Sequence, residues 1–412
     1  MPEVQDLPSI PMLGSYSRQF EASEQHAVKG RKGRIFMEIC KPKKVTRKEL
    51  AKDFNIRPGT VSDLVLQLIE HGLVQEGRPT TPYQKGRPEI ILRPVMSSLG
   101  VIVFYVVSQS IHATLLDFGG NELCNESKEV HADQIENDDL KDLIIGMAEN
   151  LRARAPVNTN IVGISFSVPG IVDEANNSWV FATSRWPQIR NMDFSQIGDA
   201  LNLNVTVNKN LNCEVQARIA RRGEKSTTNI LFIHWGHGIG ATYSLGKTSL
   251  ISGNGGVGEI GHTYTHCKHE TQCRCGLKNC LETQAALWAL LPELRKIYPE
   301  IPTDEWSFES FLKNNEKFDI SILDNAVHLM AVAMRNLTMI LSPHQIVLTG
   351  PFVQHSKIFE QLSAEFRLLL PSQSHVFAHS HVVLTVARAG TEDEIIGAAY
   401  PQFERALLDL CS

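Results

Sequence analysis

The sequence predicts a mixed α/β protein carrying a small helical head that ends in a β-hairpin, and three observations lead there. Between Lys29 and Lys52, lysine and arginine heavily outnumber Glu38 and Glu49, in a chain whose formal net charge is −5. After Arg93-Pro94, short apolar runs alternate with amphipathic stretches, the pattern of strands and helices layered around a sheet. One loop also crowds a histidine and three cysteines, His262, Cys273, Cys275 and Cys280, the cysteines spaced C-x-C-x4-C. That is a soft four-ligand set of the kind zinc prefers. At 412 residues, with 42% hydrophobic and 21% charged residues, the composition is globular and two or three domains are expected.

Residues 1–28 are polar without sustained periodicity and read as a flexible arm. Residues 29–95 form the head. Arg34–Cys40 reads as a short helix with Ile35, Phe36 and Ile39 on one side. Thr46-Arg47-Lys48-Glu49 is a capping box, in which the threonine hydroxyl and the glutamate satisfy free amides at a helix start. That helix runs to about Phe54, and Asn55 suits a left-handed turn. Pro58 fits a first helical position. Val61, Leu64, Val65, Leu68 and Ile69 then recur at helical spacing until Gly72 stops the helix. Leu73–Glu76 and Glu89–Leu92 are strands flanking a polar loop that contains Lys85-Gly86-Arg87-Pro88.

Helix, helix, turn, helix, hairpin is the winged helix-turn-helix arrangement, and its partner is double-stranded DNA. Any small helical domain would share the apolar stripe; basic charge, a capped second helix and a wing together point to nucleic acid. Thr60, Ser62, Asp63 and Gln67 are the candidates for base edges in a major groove, with Arg57 and the helix-start amides near phosphate. Lys85 and Arg87 sit on the wing. Arg87 could enter a narrow A·T minor groove, or stand solvated.

Past the head, Leu99–Val107 and Ala113–Asp117 read as strands, joined onward by a Phe118-Gly119-Gly120-Asn121 turn. Further strands fall at Ile161–Phe166, Val205–Asn208, Ile230–His234, Gln345–Thr349 and Val382–Ala387. Helices fall between them at Leu140–Arg154, Cys213–Arg222 and Ile320–Leu341. Cys40, Cys124, Cys213 and Cys411 lie far apart, which fits a reduced, cytoplasmic protein better than a disulfide framework. No basic n-region with an apolar core opens the chain, and no apolar run approaches the roughly 20 residues that span a bilayer.

The string Gly258-Glu259-Ile260-Gly261-His262 followed by Cys273-Arg274-Cys275-Gly276 and Cys280-Leu281-Glu282 resembles the ROK family of repressors, open reading frames and sugar kinases. The resemblance covers nearly all of residues 96–412. It implies a two-lobed actin-like (ribonuclease H-like) sugar-kinase-type domain. Lobe one would take about 96–210 plus a C-terminal return, and lobe two about 211–385. It also implies one structural zinc ion per chain on His262, Cys273, Cys275 and Cys280, with Cys267, His266 and His269 close enough to substitute. A closed four-ligand site has no open position for catalysis.

In the family, the two glutamates and the histidine of this string bond sugar hydroxyls, which maps onto Glu259, His262 and Glu282. The alternative is that they only brace the metal loop. Val168-Pro169-Gly170 resembles a turn at the mouth of the same cleft, with Gly170 the close contact. Family kinases cradle phosphate on Asp-x-Gly-Gly-Thr, and that register here reads Tyr105-Val106-Val107-Ser108-Gln109. Where they carry a catalytic aspartate, Asn210 stands, and an amide cannot act as a general base, a loss of about 10²–10⁴-fold. Gly236-His237-Gly238-Ile239-Gly240 keeps the glycines of a third motif, which packing alone could explain.

The expected protein is therefore not an enzyme. The resemblance implies a regulator similar to the Mlc and NagC type, a repressor of carbohydrate uptake or catabolism genes that binds an operator as a homodimer or tetramer and senses a sugar or sugar phosphate. Lys209 would favour an anionic effector or, by pairing with Glu259 or Glu282, close an empty pocket. The alternative readings are control by a sugar-transport protein that sequesters the regulator, an effector-blind repressor and, against Tyr105 and Asn210, an active sugar kinase.

Overall fold

The computed structural model describes residues 30–79, 89–182, 186–221, 228–246, 248–250, 255–266, 270–315, 318–370 and 382–411. The arm at 1–28 and the wing tip with Lys85 and Arg87 lie outside them. The chain divides into two compact units. Unit 1 holds residues 1–182, 186–225 and 393–412, and unit 2 holds 183–185 and 226–392.

Unit 1 begins with the head: α1 (Gly30–Ile39), β1 (Val45–Thr46), α2 (Arg47–Asp53), α3 (Pro58–Glu70), β2 (Val74–Pro79) and β3 (Ile90–Pro94). The capping box forms as expected. The Thr46 hydroxyl accepts from the Glu49 amide, and the Glu49 carboxylate accepts from the Thr46 amide at 2.9 Å. Asn55 takes the left-handed conformation at φ 52°, and Pro58 is the first residue of α3. Val61, Val65 and Leu68 are buried, whereas Leu64 and Ile69 are only partly so. Much of the head's basic charge is spent internally. Lys43 meets Glu38 and Asp53, Arg47 meets Glu76, and Lys48 meets Glu89.

The head shares a hydrophobic core with the rest of unit 1. Phe36 of α1 lies 5.8 Å from Phe118, and Phe118 stands edge-on to Phe403 at 5.6 Å. Phe403 belongs to the final helix, α12 (Glu392–Cys411). Behind the head is a five-stranded sheet made of β4 (Leu99–Val107), β5 (Ser110–Asp117), β6 (Glu122–Glu129), β7 (Asn160–Val168) and β11 (Val205–Lys209). Its order is β11-β7-β4-β5-β6. A side sheet holds β8 (Ile171–Asp173), β9 (Ser178–Phe181) and β10 (Arg190–Asp193). Helices α4 (Asn137–Arg154), α5 (Ser195–Leu201) and α6 (Asn210–Arg221) complete the unit.

Unit 2 repeats the plan. Its sheet, in the order β14-β13-β12-β15-β16, uses β12 (Ile230–Trp235), β13 (Ile239–Leu245), β14 (Thr248–Ser249), β15 (Gln345–Thr349) and β16 (Val383–Val386). In each sheet three strands are antiparallel and two more add in parallel beside the first. The helices here are α7 (Glu282–Ala285), α8 (Leu287–Ile297), α9 (Glu305–Asn314), α10 (Asp324–Leu341) and α11 (Ser356–Leu369).

The division between units differs from the expected one at 210/211. It falls after residue 225, so α6 stays with unit 1. The reason is packing: α6 follows directly from β11, and Cys213 of α6 is buried in one core with Ala398 and Ala399 of α12. No helix of the described residues is long and apolar enough to cross a membrane.

Candidate functional site

The His/Cys loop closes on itself before any ion is considered. Cys273 donates its amide to the Leu277 carbonyl at 2.8 Å, and Gly276 donates to the Cys273 carbonyl at 3.1 Å, a tight knuckle. Leu281 and Thr265 tie the returning strand to the approaching one. The result brings ligand atoms of His262, Cys273, Cys275 and Cys280 all within 4.8 Å of one another. Cys275 Sγ and Cys280 Sγ are 3.7 Å apart, and Cys273 Sγ is 3.7 Å from His262 Nδ1. Bonds of about 2.3 Å at a tetrahedral centre place sulfurs roughly 3.7 Å apart, so the set fits a zinc-sized ion.

The electrostatics agree. Burial, then neighbouring thiols, pushes Cys280 up, and burial likewise raises Cys273. Three thiolates share this space only with a cation among them. The cluster can therefore hold a metal ion. The other ring nitrogen of His262, Nε2, lies 3.9 Å from Glu259 Oε2, so a carboxylate faces the ring from the side away from the sulfurs. His266 is described but is not one of the four; Cys267 and His269 lie outside the described residues.

Glu282 follows the last cysteine by two residues and is held at both oxygens. Oε1 accepts from the Ile239 amide at 2.8 Å, and Oε2 accepts from the Trp288 indole at 3.1 Å. Gly261 permits this, because a Cβ there would lie 2.4 Å from the Ile239 carbonyl oxygen and 2.7 Å from Glu282 Cγ. Arg274, between two of the cysteines, stacks over Trp288 at 4.3 Å and reaches His237 at 3.3 Å. Glu259, His262 and Glu282 thus stand on one brace in unit 2, and sequence reasoning missed Trp288 and Arg274 as its members.

Unit 1 holds the other three effector candidates. Gly170 is left-handed at φ 92°, and a Cβ would meet the Phe181 carbonyl at 2.3 Å. Trp179 fixes this turn by donating its indole to the Pro169 carbonyl at 2.7 Å. Gly170 is thus explained by packing before any ligand is considered. Lys209 ends β11 with 6% exposure, and its amide donates to Glu174 Oε1 at 3.1 Å. Asn212 donates to the same oxygen at 2.8 Å. Asn210 is the first residue of α6. Asn208, which sequence reasoning passed over, has a buried amide nitrogen with no hydrogen-bond partner among the described residues.

The phosphate-loop register is a plain hairpin. Tyr105 pairs across the ladder with His112 and stacks on it at 5.1 Å, and pairing continues through Val107 and Ser110. In the head, Arg57, Thr60, Ser62, Asp63 and Gln67 are all exposed. Arg57 stands at the N-cap of α3 without a side-chain cap, and the Ser62 hydroxyl donates back to the Pro58 carbonyl at 3.0 Å.

Comparison with known proteins gives the arrangement its context. The chain is similar to the xylose repressor of Bacillus spizizenii, 23% identical over 339 residues that cover 80% of this chain and 85% of that one. Among solved structures, a ROK family transcriptional regulator described as a homologue of the E. coli Mlc protein superposes with a TM-score of 0.69. It is 21% identical and covers 89% of this chain and 93% of its own. A ROK family glucokinase from Streptomyces griseus, solved with glucose and AMPPNP, reaches a TM-score of 0.59 at 16% identity, covering 73% and 98%. At these identities the structures share the fold alone. The ROK family matches residues 109–402, well over half of the chain, and the chain belongs to it.

Proposed function

We propose that this protein is a DNA-binding transcriptional regulator, a repressor of carbohydrate uptake or catabolism genes, whose sensor domain binds a sugar or sugar phosphate without phosphorylating it. The observation that carries this reading is the exposed polar face of α3, on a capped three-helix head that ends in a hairpin. Residues 29–95 are then a winged helix-turn-helix domain, and Arg57, Thr60, Ser62, Asp63 and Gln67 are its reading surface, with Lys85 and Arg87 on the wing. Arg57 and the uncapped start of α3 meet phosphate, since helix-start amides favour an anion.

In the sensor, His262, Cys273, Cys275 and Cys280 hold one zinc ion, whose role is structural because four protein ligands leave no open position. Zinc pins the brace on which Glu259 and Glu282 present carboxylates to sugar hydroxyls; Gly170, Lys209 and Asn210 are the effector candidates of unit 1. Tyr105 and Asn210 at the kinase register support a sensor without turnover. The charge of Lys209, where family kinases carry an asparagine, favours a phosphate or carboxylate on the effector. The regulator acts as a homodimer or tetramer in the cytoplasm, on half-sites separated by whole turns of about 10–10.5 base pairs. The effector works only through a difference in affinity between two states.

The test is selection of fragments of the source genome on zinc-loaded protein, followed by sequencing. A palindrome beside a carbohydrate operon is the expected result, and that operon nominates sugars to try as releasing agents. Arg57→Ala should then weaken binding to all fragments alike and lower the salt slope by about 1. Recovery of no fragment above background removes the DNA-binding reading. A second reading, control by a transport protein, is favoured by Tyr264 and Leu277, large apolar side chains left exposed on the metal loop.

A further inference from the structure

The three thiols of the metal set do not stand alike. Cys273 and Cys280 are buried, whereas Cys275 is exposed to solvent. Cys280 is held from both sides. Asn279 before it accepts from the Thr271 amide through its side chain at 2.9 Å and donates its own amide to the Thr271 carbonyl at 2.9 Å. Leu281 after it donates to the Thr263 carbonyl at 2.9 Å. Cys275 instead leads into residues 276–278, all of them exposed. Gly276 there is left-handed at φ 91°, with open space where a Cβ would lie. Cys275 Sγ is 3.7 Å from Cys280 Sγ, the span of two ligands on one ion. With no ion between them, such a pair has only to close to about 2 Å to bond.

Oxidation selects the thiolate that solvent reaches. We propose that Cys275 is a modification site, the thiol through which a hydroperoxide oxidises the knuckle to a Cys275–Cys280 disulfide and expels the metal ion. The Cys275 thiolate attacks the terminal peroxide oxygen. The O–O bond breaks, and the departing alkoxide takes a proton from solvent. The Cys280 thiolate then attacks the sulfenic sulfur. The S–S bond forms, and hydroxide leaves to become water with a second proton. Two thiolates thus give two electrons to one peroxide. Cys273 is the poorer partner for Cys275, because a single intervening residue forces a small, strained ring, whereas four residues separate Cys275 from Cys280. His262 and Cys273, the two ligands that remain, hold zinc far more weakly than four do. The change passes along the chain. Glu282, two residues past Cys280, holds the Ile239 amide, and Arg274, next to Cys275, reaches His237, whose amide donates to Glu305. Oxidation therefore loosens the brace from both cysteines, and with it the Glu282 carboxylate read as a sugar ligand. The inference rests on the zinc reading of this cluster.

The experiment uses the full-length protein, with its zinc content measured first. Hydrogen peroxide is then added without reductant, and zinc release, disulfide position by mass spectrometry and hydrogen exchange are followed together. One zinc ion should be released for each disulfide formed. The disulfide should join Cys275 to Cys280, and Cys273 should remain open to alkylation. Exchange should rise at the Ile239 amide, and a thiol reductant with added zinc should reverse the change. Cys275→His keeps a zinc ligand but removes the thiol, and it should release zinc at least about tenfold more slowly than the unaltered chain. A chain that takes up no zinc removes the metal reading and this proposal with it. A zinc-loaded chain that keeps its metal in peroxide overturns the proposal alone. So does a disulfide that omits Cys275 or Cys280, or release from Cys275→His at the unaltered rate. Should Cys275→His take up no zinc, the disulfide position in the unaltered chain decides.

Discussion

The hairpins β4–β5 and β12–β13 occupy the same place in two sheets of the same plan, yet their turns are closed by opposite means. The first is sealed by its own ladder. Pairing runs to Val107 and Ser110, Ser108 turns the chain at φ 57°, and the Trp186 indole takes the Ser108 carbonyl at 3.1 Å. The second stops pairing at Trp235 and Ile239, and its His237 and Ile239 amides are met by carboxylates from distant segments. Backbone pairing built into a strand is hard to undo by substitution, whereas a carboxylate in an amide nest is one residue away from being absent. The comparison teaches that one sheet plan can close equivalent turns by different means, through its own ladder in one half and through distant carboxylates in the other.

The largest expected difference between the two turns comes from the metal. Glu282 and Arg274 brace the β12–β13 turn, and both belong to the His/Cys loop, whereas the Ser108 turn is held by its own ladder and the Trp186 indole. Removal of zinc with a strong chelator, or Cys280→Ser, should remove a contribution of up to roughly 10 kcal/mol to the stability of unit 2. Hydrogen exchange should rise sharply across residues 235–241 and stay nearly unchanged across 105–111. Equal loosening of both turns would mean that the brace is not what holds the second one.

Next in size is the brace without loss of metal. Glu282→Ala strands the Ile239 amide and the Trp288 indole together, and each unsatisfied group costs about 1–3 kcal/mol. Glu282→Gln keeps an acceptor for Ile239 and should lose about half as much. Denaturant unfolding with zinc content measured alongside checks both. A loss in Glu282→Ala below about 1 kcal/mol would show that water replaces both bonds easily.

These contacts also mark where sequence reasoning stopped. The head was readable because its signals are local: the Thr46–Glu49 box, Asn55, Pro58 and Gly72 each act within a few residues. The metal set was readable because three of its four ligands lie within eight residues of chain. The braces were not. Glu305 and His237 are 68 positions apart, and Trp288 carries no motif, so only the folded chain joins them. The division after residue 225 was missed for the same reason, since the contact that keeps α6 in unit 1 is made with α12 near the far end of the chain. The side sheet of β8, β9 and β10 rests on strands of three or four residues, too short for an alternating pattern to declare itself.

The smallest expected effect lies in the first turn and depends on pH. Burial between β4 and β5, under Tyr105, pushes the His112 imidazole below its ordinary value of 6.5. The unfolded chain therefore binds a proton more readily than the folded one, and stability falls as pH drops below about 6.5 toward the lowered folded value. His112→Leu fills the same place with nothing to protonate. Its unfolding free energy should change less between pH 7.5 and 5.5 than that of the unaltered chain, by about 1 kcal/mol or less for a half-buried ring. A pH dependence in His112→Leu as steep as that of the unaltered chain would show that the imidazole buried in the first turn contributes none of it, and that this turn is held by its ladder alone.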